Sequence, residues 1–138
     1  MFQFYTLTIR DSNGNYVGLD QIYLQLKCIM EESRRKERKG QVGIVTSDTR
    51  DNWHQAYQTI IGKQDEAFQT MANSLFLLCL DDIVISEEDS LTRTGLNSLH
   101  GLGSSNNGIN RWYDKALQFI IARSGEVAIC NEHRYDHL

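Results

Sequence analysis

Proline is absent from the 138 residues, and nothing else in the sequence accounts for its absence. Cysteine is scarce and scattered. Cys28, Cys79 and Cys130 each sit inside an apolar run, with no metal-knuckle spacing and no framework that could staple a small secreted fold. They read as buried, reduced thiols of an intracellular protein. No apolar run approaches the roughly 18 residues that a membrane-spanning helix needs. The opening Met1-Phe2-Gln3-Phe4-Tyr5 lacks the basic and apolar regions of a secretory signal. There is no basic excess either: 14 Lys and Arg stand against 18 Asp and Glu, a net charge of −4, which sets nucleic-acid binding aside.

What is present is a globular balance, 41% apolar and 23% charged, in a length that suits one domain with a real core. Tyr5, Leu7 and Ile9 alternate with polar residues and predict a half-buried strand, followed by a turn over residues 11–15. A helix capped by Asp20 follows, with Leu19, Ile22, Tyr23, Leu26, Ile29 and Met30 as its apolar stripe. It runs out into the charged stretch 31–39, read as a solvated helix end closed by Gly40. Residues 42–46 predict a short buried strand ending at Ser47-Asp48, which would cap the next helix. That helix gathers Trp53, Ala56, Tyr57, Ile60 and Ile61 on one face and leaves His54 near the surface. A helical turn or two is expected over residues 68–72. The run 74–80 is a central strand or a buried helix, undecided by pattern alone.

The acidic residues Asp81, Asp82, Glu87, Glu88 and Asp89 lack the loop spacing of a calcium site. Ser86 with the acids after it more simply opens a helix running to about His100, with Leu91, Leu96 and Leu99 inward. Residues 101–108 read as a flexible loop with exposed amides and lack the spacing of a phosphate-binding P-loop. Two apolar runs, 116–121 and 127–130, flank a turn at Arg123-Ser124-Gly125 and predict a β-hairpin. That hairpin would deliver His133 to a strand end. Strand alternation puts Cys130 and His133 on opposite faces, so a zinc site with His137 is set aside. Arg111, Asp114 and Lys115 read as a structural ion-pair group, and Trp112 and Tyr113 as packing. The fold class is α/β, a mixed sheet flanked by helices.

The stretch from Asn110-Arg111-Trp112-Tyr113-Asp114-Lys115 to Ile121, with Gly125 and Glu132-His133, resembles the signature of the choline/carnitine O-acyltransferases. Gly43 to Asp48 with Arg50 and Trp53, Leu77 to Asp81, and Leu99-His100-Gly101 with Gly103 resemble further blocks of that family, in the same order. The resemblance implies a segment, residues 1–138, of a chloramphenicol-acetyltransferase-like domain that lacks its C-terminal half. It implies acyl transfer between acyl-CoA, as co-substrate, and the hydroxyl of choline or carnitine. His133 would be the general base, and Asp136 an acid that orients it. The cytosol, mitochondrion and peroxisome are not distinguished, and the signature leans slightly toward choline acetyltransferase-like members.

Three departures from the family pattern are visible. The family's Ser-Thr-Ser oxyanion motif and its acceptor-binding and coenzyme A-binding residues do not occur in this stretch. The acid near the histidine stands at three positions on, with His137 at four. Leu102 interrupts a glycine triplet. The resemblance therefore implies that this chain alone does not turn over. The alternative reading is a catalytically inactive relic, or a partner-binding module of the same fold.

Overall fold

The computed structural model describes residues 4–35, 42–60 and 66–131. Its contacts divide the chain into two compact units, Met1–Gly40 and Gln41–Leu138.

In the first unit the alternation of residues 4–10 survives as alternating exposure, with Tyr5, Leu7 and Ile9 half-buried. No strand ladder forms there among the described residues. Instead the Gln25 amide stands in for a neighbouring strand, accepting from Thr8 N and donating to Thr8 O. The expected turn forms, its Asp11 carboxylate accepting from the N–H of Asn13 and Asn15 at 2.8 and 2.9 Å. Those bonds, Asn15 first, hold Asp11 below the ordinary carboxylate range. Helix α1 (Leu19–Arg35) starts at Gly18, whose carbonyl accepts from Gln21 and Ile22, so Asp20 lies inside the first turn and is not the cap. Cys28 on this helix is exposed, contrary to the buried thiol expected. The end of the charged run, from residue 36, lies outside the described residues.

In the second unit, residues Val42–Val45 form one helical turn, α2, where a strand is predicted. The reason is local packing. A Cβ on Gly43 would lie 2.4 Å from the Arg111 carbonyl oxygen, so the turn presses directly against that backbone, and among the described residues it pairs with no strand. Helix α3 (Arg50–Ile60) is capped by Thr49, one residue later than expected. Thr49 O accepts from Trp53 N, while Asp48 braces the turn through Thr49 N and Asn52 Nδ2. Trp53 points inward and His54 outward, as the spacing predicts. Ile61 and the Ile60 side chain lie outside the described residues. Helix α4 (Glu66–Asn73) supplies Phe68 and Met71, which pack with Trp53 and Trp112 as the apolar core. Trp112 meets Trp53 edge-on at 5.4 Å and Phe68 at 5.5 Å.

The undecided run 74–80 yields strand β1 (Leu77–Asp81), at the edge of a three-stranded sheet. A crossover through α5 (Ser90–His100) leads to β2 (Leu117–Ala122), parallel to β1, with Cys79 opposite Ile120. The predicted hairpin then adds β3 (Val127–Asn131), antiparallel to β2, with Phe119 opposite Ile129. Its turn closes through Gly125 N to Ala122 O and is pinned to the exit of β1 by Arg123 N to Ile83 O and Ile85 N to Ser124 Oγ.

Helix α5 corrects the sequence reading most sharply. Leu91 and Leu99 are 89% and 65% exposed, and Leu96 also faces out, whereas Asn97 is buried. Asp89, not Ser86, precedes the helix, after a 3-10 turn at Glu87–Asp89, and makes no side-chain cap. Residues 101–108 are likewise not a loose loop. Gly101 and Gly108 are buried, and Asn107 N donates to Gly101 O while Gly108 N donates to Gly103 O.

Candidate functional site

The polar hexapeptide at 110–115 is where several elements converge. A 3-10 turn, Asn107–Asn110, delivers Arg111 beneath the covered face of the sheet. Arg111 is among the largest fully buried side chains, and its guanidinium meets Asp81 at the end of β1. The contact is a two-pronged fork, Nη1 to Oδ1 at 3.0 Å and Nη2 to Oδ2 at 2.7 Å. The fork also donates to the carbonyls of Asn110 and Asn97. Asn97 Nδ2 and Asn110 Nδ2 each donate to the same carboxylate at 2.8 Å, and Asn107 Nδ2 reaches Asn97 Oδ1. One carboxylate thus ties together β1, α5 and the 107–111 turn. Burial works against the Arg111 charge, but the bonds to Asp81 outweigh it, and the guanidinium titrates above its ordinary range. Arg111 Nε alone is left without a partner among the described buried side-chain nitrogens and oxygens.

Gln118 on β2 extends this polar core. Its Oε1 accepts from Trp112 N at 2.9 Å and from the Cys79 thiol at 3.7 Å. Burial pushes the Cys79 thiol up to about 12, with Asp81 adding to the rise and Arg111 opposing it. At pH 8 a thiol of that kind is ionised to only about one part in ten thousand. Ellman's reagent at pH 8 should therefore titrate exposed Cys28 rapidly and Cys79 only once the chain is unfolded in guanidinium. Labelling of Cys79 at the same rate as Cys28 in the folded chain would show that the sealed core is wrong.

The rest of the hexapeptide is divided among separate tasks, so Arg111, Asp114 and Lys115 do not form one ion-pair group. Lys115 Nζ donates to the carbonyls of Met71 and Ala72 at 2.9 and 3.0 Å and to that of Ser74, closing the C-terminus of α4. Burial lowers its pKa. Tyr113 N donates to Thr46 Oγ1, fixing the segment to the end of α2, and burial raises its phenol. Asp114 is exposed and has no ion-pair partner among the described residues. Trp112 and Tyr113 are buried and half-buried packing, as read from the sequence.

Two concavities flank this segment. One of about 110 Å³ lies between Tyr57, Phe68 and Lys115, and an open polar cleft of about 330 Å³ lies between Arg50, Trp53 and Asp114. Pockets for drug-sized ligands run about 300–1,000 Å³, so the first is too small for acyl-CoA and the second lies at the lower end of that range. The cleft also holds the hydroxyls of Thr46 and Ser47 beside Asp48, and both hydroxyls donate to backbone carbonyls, those of Gly43 and Ile44.

His133 and Asp136 lie outside the described residues, two and five positions beyond the last residue of β3. What the structure brings together is the frame that leads to them. Sequence reading placed Asp81 in an acidic cluster and a family block, and gave Asn97 and Gln118 no role of their own in that frame. The signal for Asp81 was available: a carboxylate closing an apolar run needs a buried cation. The partner, thirty positions on, had no local mark.

A family profile for choline/carnitine O-acyltransferases matches residues 1–135. Carnitine O-acetyltransferase of Homo sapiens is 36% identical over 136 residues, covering 96% of this chain and 22% of that protein. Mitochondrial carnitine O-palmitoyltransferase 2 of Homo sapiens is 32% identical over 133 residues, covering 96% of this chain and 19% of the relative. Choline O-acetyltransferase of Sus scrofa is 35% identical over 135 residues, 95% and 21% of the two chains. The chain thus spans about a fifth of the length of these relatives.

Proposed function

The chain belongs to the choline/carnitine O-acyltransferase family, and from that premise we propose that it is the histidine-bearing segment of an enzyme moving acyl groups between coenzyme A and the hydroxyl of carnitine or choline. The observation that carries the reading is the folded signature. The segment 110–115 is locked by the Asp81–Arg111 pair and feeds directly into the hairpin that leads to His133.

His133 acts as general base in this reading. Its imidazole takes the proton of the acceptor hydroxyl as the oxygen attacks the thioester carbonyl. The tetrahedral oxyanion then collapses, the C–S bond breaks, and the departing thiolate of coenzyme A takes the proton back. In reverse the base works on the coenzyme A thiol. An imidazole that titrates near pH 6.5 when unperturbed suits both directions. Asp136 is assigned the orienting role, its place three positions on differing from the family's spacing. Base catalysis supplies about 10²–10⁴-fold, and oxyanion donors about 10²–10³ more. The donors and the acceptor-binding residues belong to family blocks that do not occur in this stretch, so turnover in this reading requires those blocks as well.

The carnitine and choline relatives stand at 36% and 35% identity, so the acceptor is tested with both. The assay follows transfer from acetyl-, octanoyl- and palmitoyl-CoA to carnitine and choline, with the chain alone and with the remaining part of a relative supplied in trans. Complemented activity should fall about 10²–10⁴-fold in His133→Ala. Equal activity in that variant, or none in any combination, defeats the assignment.

A second reading, a non-catalytic partner-binding module, draws on one observation. One face of the sheet carries exposed apolar side chains.

A further inference from the structure

Asn-Gly occurs twice in the sequence, at Asn13-Gly14 and at Asn107-Gly108. The pair carries a chemistry of its own. The glycine nitrogen, once a base removes its proton, attacks the side-chain Cγ of the asparagine before it. The new C–N bond closes a succinimide ring as the bond to Nδ2 breaks and ammonia leaves. Water then opens the ring at either carbonyl, leaving aspartate or isoaspartate. Glycine favours the step because it has no Cβ to hinder the approach of its nitrogen. Local sequence ranks the two pairs equally, so the fold decides between them.

At residue 107 the fold blocks ring closure. Gly108 is buried, and its N–H, the nucleophile, donates to Gly103 O at 3.2 Å. Asn107 N donates to Gly101 O at 2.8 Å, and Asn107 Nδ2 donates to Asn97 Oδ1 at 3.4 Å. A Cβ on Gly108 would lie 2.8 Å from Gly103 O and 2.9 Å from His100 O, so main chain packs directly against this peptide. Freeing the nucleophile there means unfolding the turn that delivers Arg111. At residue 13 far less holds the chain. Asn13 and Gly14 are exposed at the tip of a hairpin closed by Asp11 N to Asn15 O and Val17 N to Ile9 O, with Gly14 at φ +83°. The Asn13 side-chain amide has no hydrogen-bond partner among the described residues. Its nucleophile is restrained by the bond from Gly14 N to Asp11 O, 3.0 Å long and at an exposed turn. Exposed turns open at a cost near zero, whereas packed segments open at a cost that approaches global unfolding. All the bonds of this hairpin lie inside the first unit.

We propose that Asn13 is a site of spontaneous covalent modification, converting to aspartate and isoaspartate with loss of ammonia, while the fold holds Asn107 unreactive. The consequence reaches past residue 13. Either product sets a new carboxylate two positions from that of Asp11. Isoaspartate also adds a backbone carbon between Asp11 and Asn15, whose present spacing aligns the Asp11 N to Asn15 O bond. The same spacing aligns the bridge between Arg10 and Tyr16, where the guanidinium lies 4.4 Å from the ring centroid. The hairpin therefore loosens as the protein ages, and none of this rests on the acyl-transfer reading.

The test incubates the complete 138-residue chain in mildly alkaline buffer, folded and in urea, and maps by peptide mass the exchange of ammonia for water. Isoaspartate is read separately, by esterification with an isoaspartyl methyltransferase and a labelled methyl donor. In the folded chain, conversion at Asn13 should outpace that at Asn107 by roughly tenfold or more, and in urea the two rates should converge. Asn13→Gln, whose longer side chain closes a ring far more slowly, should keep the wild-type melting temperature and lose the folded-chain methyl acceptance. The isoaspartyl chain, separated chromatographically, should exchange the amide hydrogens of Asp11 and Val17 faster than the unconverted chain. The proposal is overturned by no conversion at Asn13 in the folded chain while the urea sample converts, or by equal conversion at Asn107 in the folded chain. Methyl acceptance that persists in folded Asn13→Gln, or unchanged exchange at Asp11 and Val17, overturns it as well.

Discussion

Arg111→Met should destabilise the second unit by about 3–5 kcal/mol, because it strands the Asp81 carboxylate in a sealed core. For a unit of about this size each kcal/mol moves the melting temperature by about 4–8 °C, so the midpoint should fall by roughly 12 °C or more. The double variant Asp81→Leu/Arg111→Met should be more stable than Arg111→Met alone, since replacing both members of a buried pair is often far cheaper than removing one. Recovery should be partial. Asn97 Nδ2 and Asn110 Nδ2 both donate to that carboxylate and lose an acceptor with it. Urea denaturation of the wild type, Asp81→Leu, Arg111→Met and the double variant closes the cycle. A loss under about 1 kcal/mol in Arg111→Met, or strict additivity, would mean that the pair does not hold these elements together.

The second large effect concerns the backbone that brings Arg111 to Asp81. Gly101 ends α5 in the left-handed region at φ +61°, and a Cβ there would lie 2.1 Å from Gly108 N and 2.2 Å from Asn107 C. Both obstacles are main chain, so no rotamer change relieves them. Gly101→Ala should cost about 2–4 kcal/mol, combining an unfavourable φ with a forced shift of the 107–108 backbone. The same substitution at Gly95, within α5 and with nothing near its Cβ position, should instead raise stability by about 0.5–1 kcal/mol. Leu102, where the family pattern has glycine, holds φ +58°. Leu102→Gly should gain up to about 1 kcal/mol by relieving it. Thermal melts of the three variants check the set, and the ordering Gly101→Ala lowest, Gly95→Ala above wild type is the decisive result.

These two regions also mark how far the sequence could be read. The hairpin was legible because a strand's side chains alternate and a Gly-containing turn joins two such runs, and both signals are local. The inward face of α3 was legible for the same kind of reason, with Trp53 and Ala56 at helical spacing. The orientation of α5 was not. Its leucines at 91, 96 and 99 suggested an apolar inner face, yet the carboxylate of Asp81 demanded a polar one, and Asn97 turned in to meet it. A buried charge with no partner costs more than leaving a few leucines outside, so the distant ion pair overrode the local pattern. Residues 42–45 went the same way. An apolar run reads as a strand, but whether a neighbour offers a ladder is settled by chain packing, and here Gly43 lies against the carbonyls of Ile109 and Arg111.

The sequence by itself determined the family, through the ordered blocks and the 110–121 signature, and with it the α/β class. It did so because short-range pattern and spacing are written residue by residue. Tertiary structure alone decided which side of each element faces inward and how the signature is anchored. Asp81 finds Arg111 thirty positions away, Lys115 closes a helix rather than an ion pair, and Asn97 of α5 turns inward in place of its leucines. Those outcomes depend on satisfying buried charge and backbone groups between segments far apart in the chain, a condition that no local stretch of sequence records.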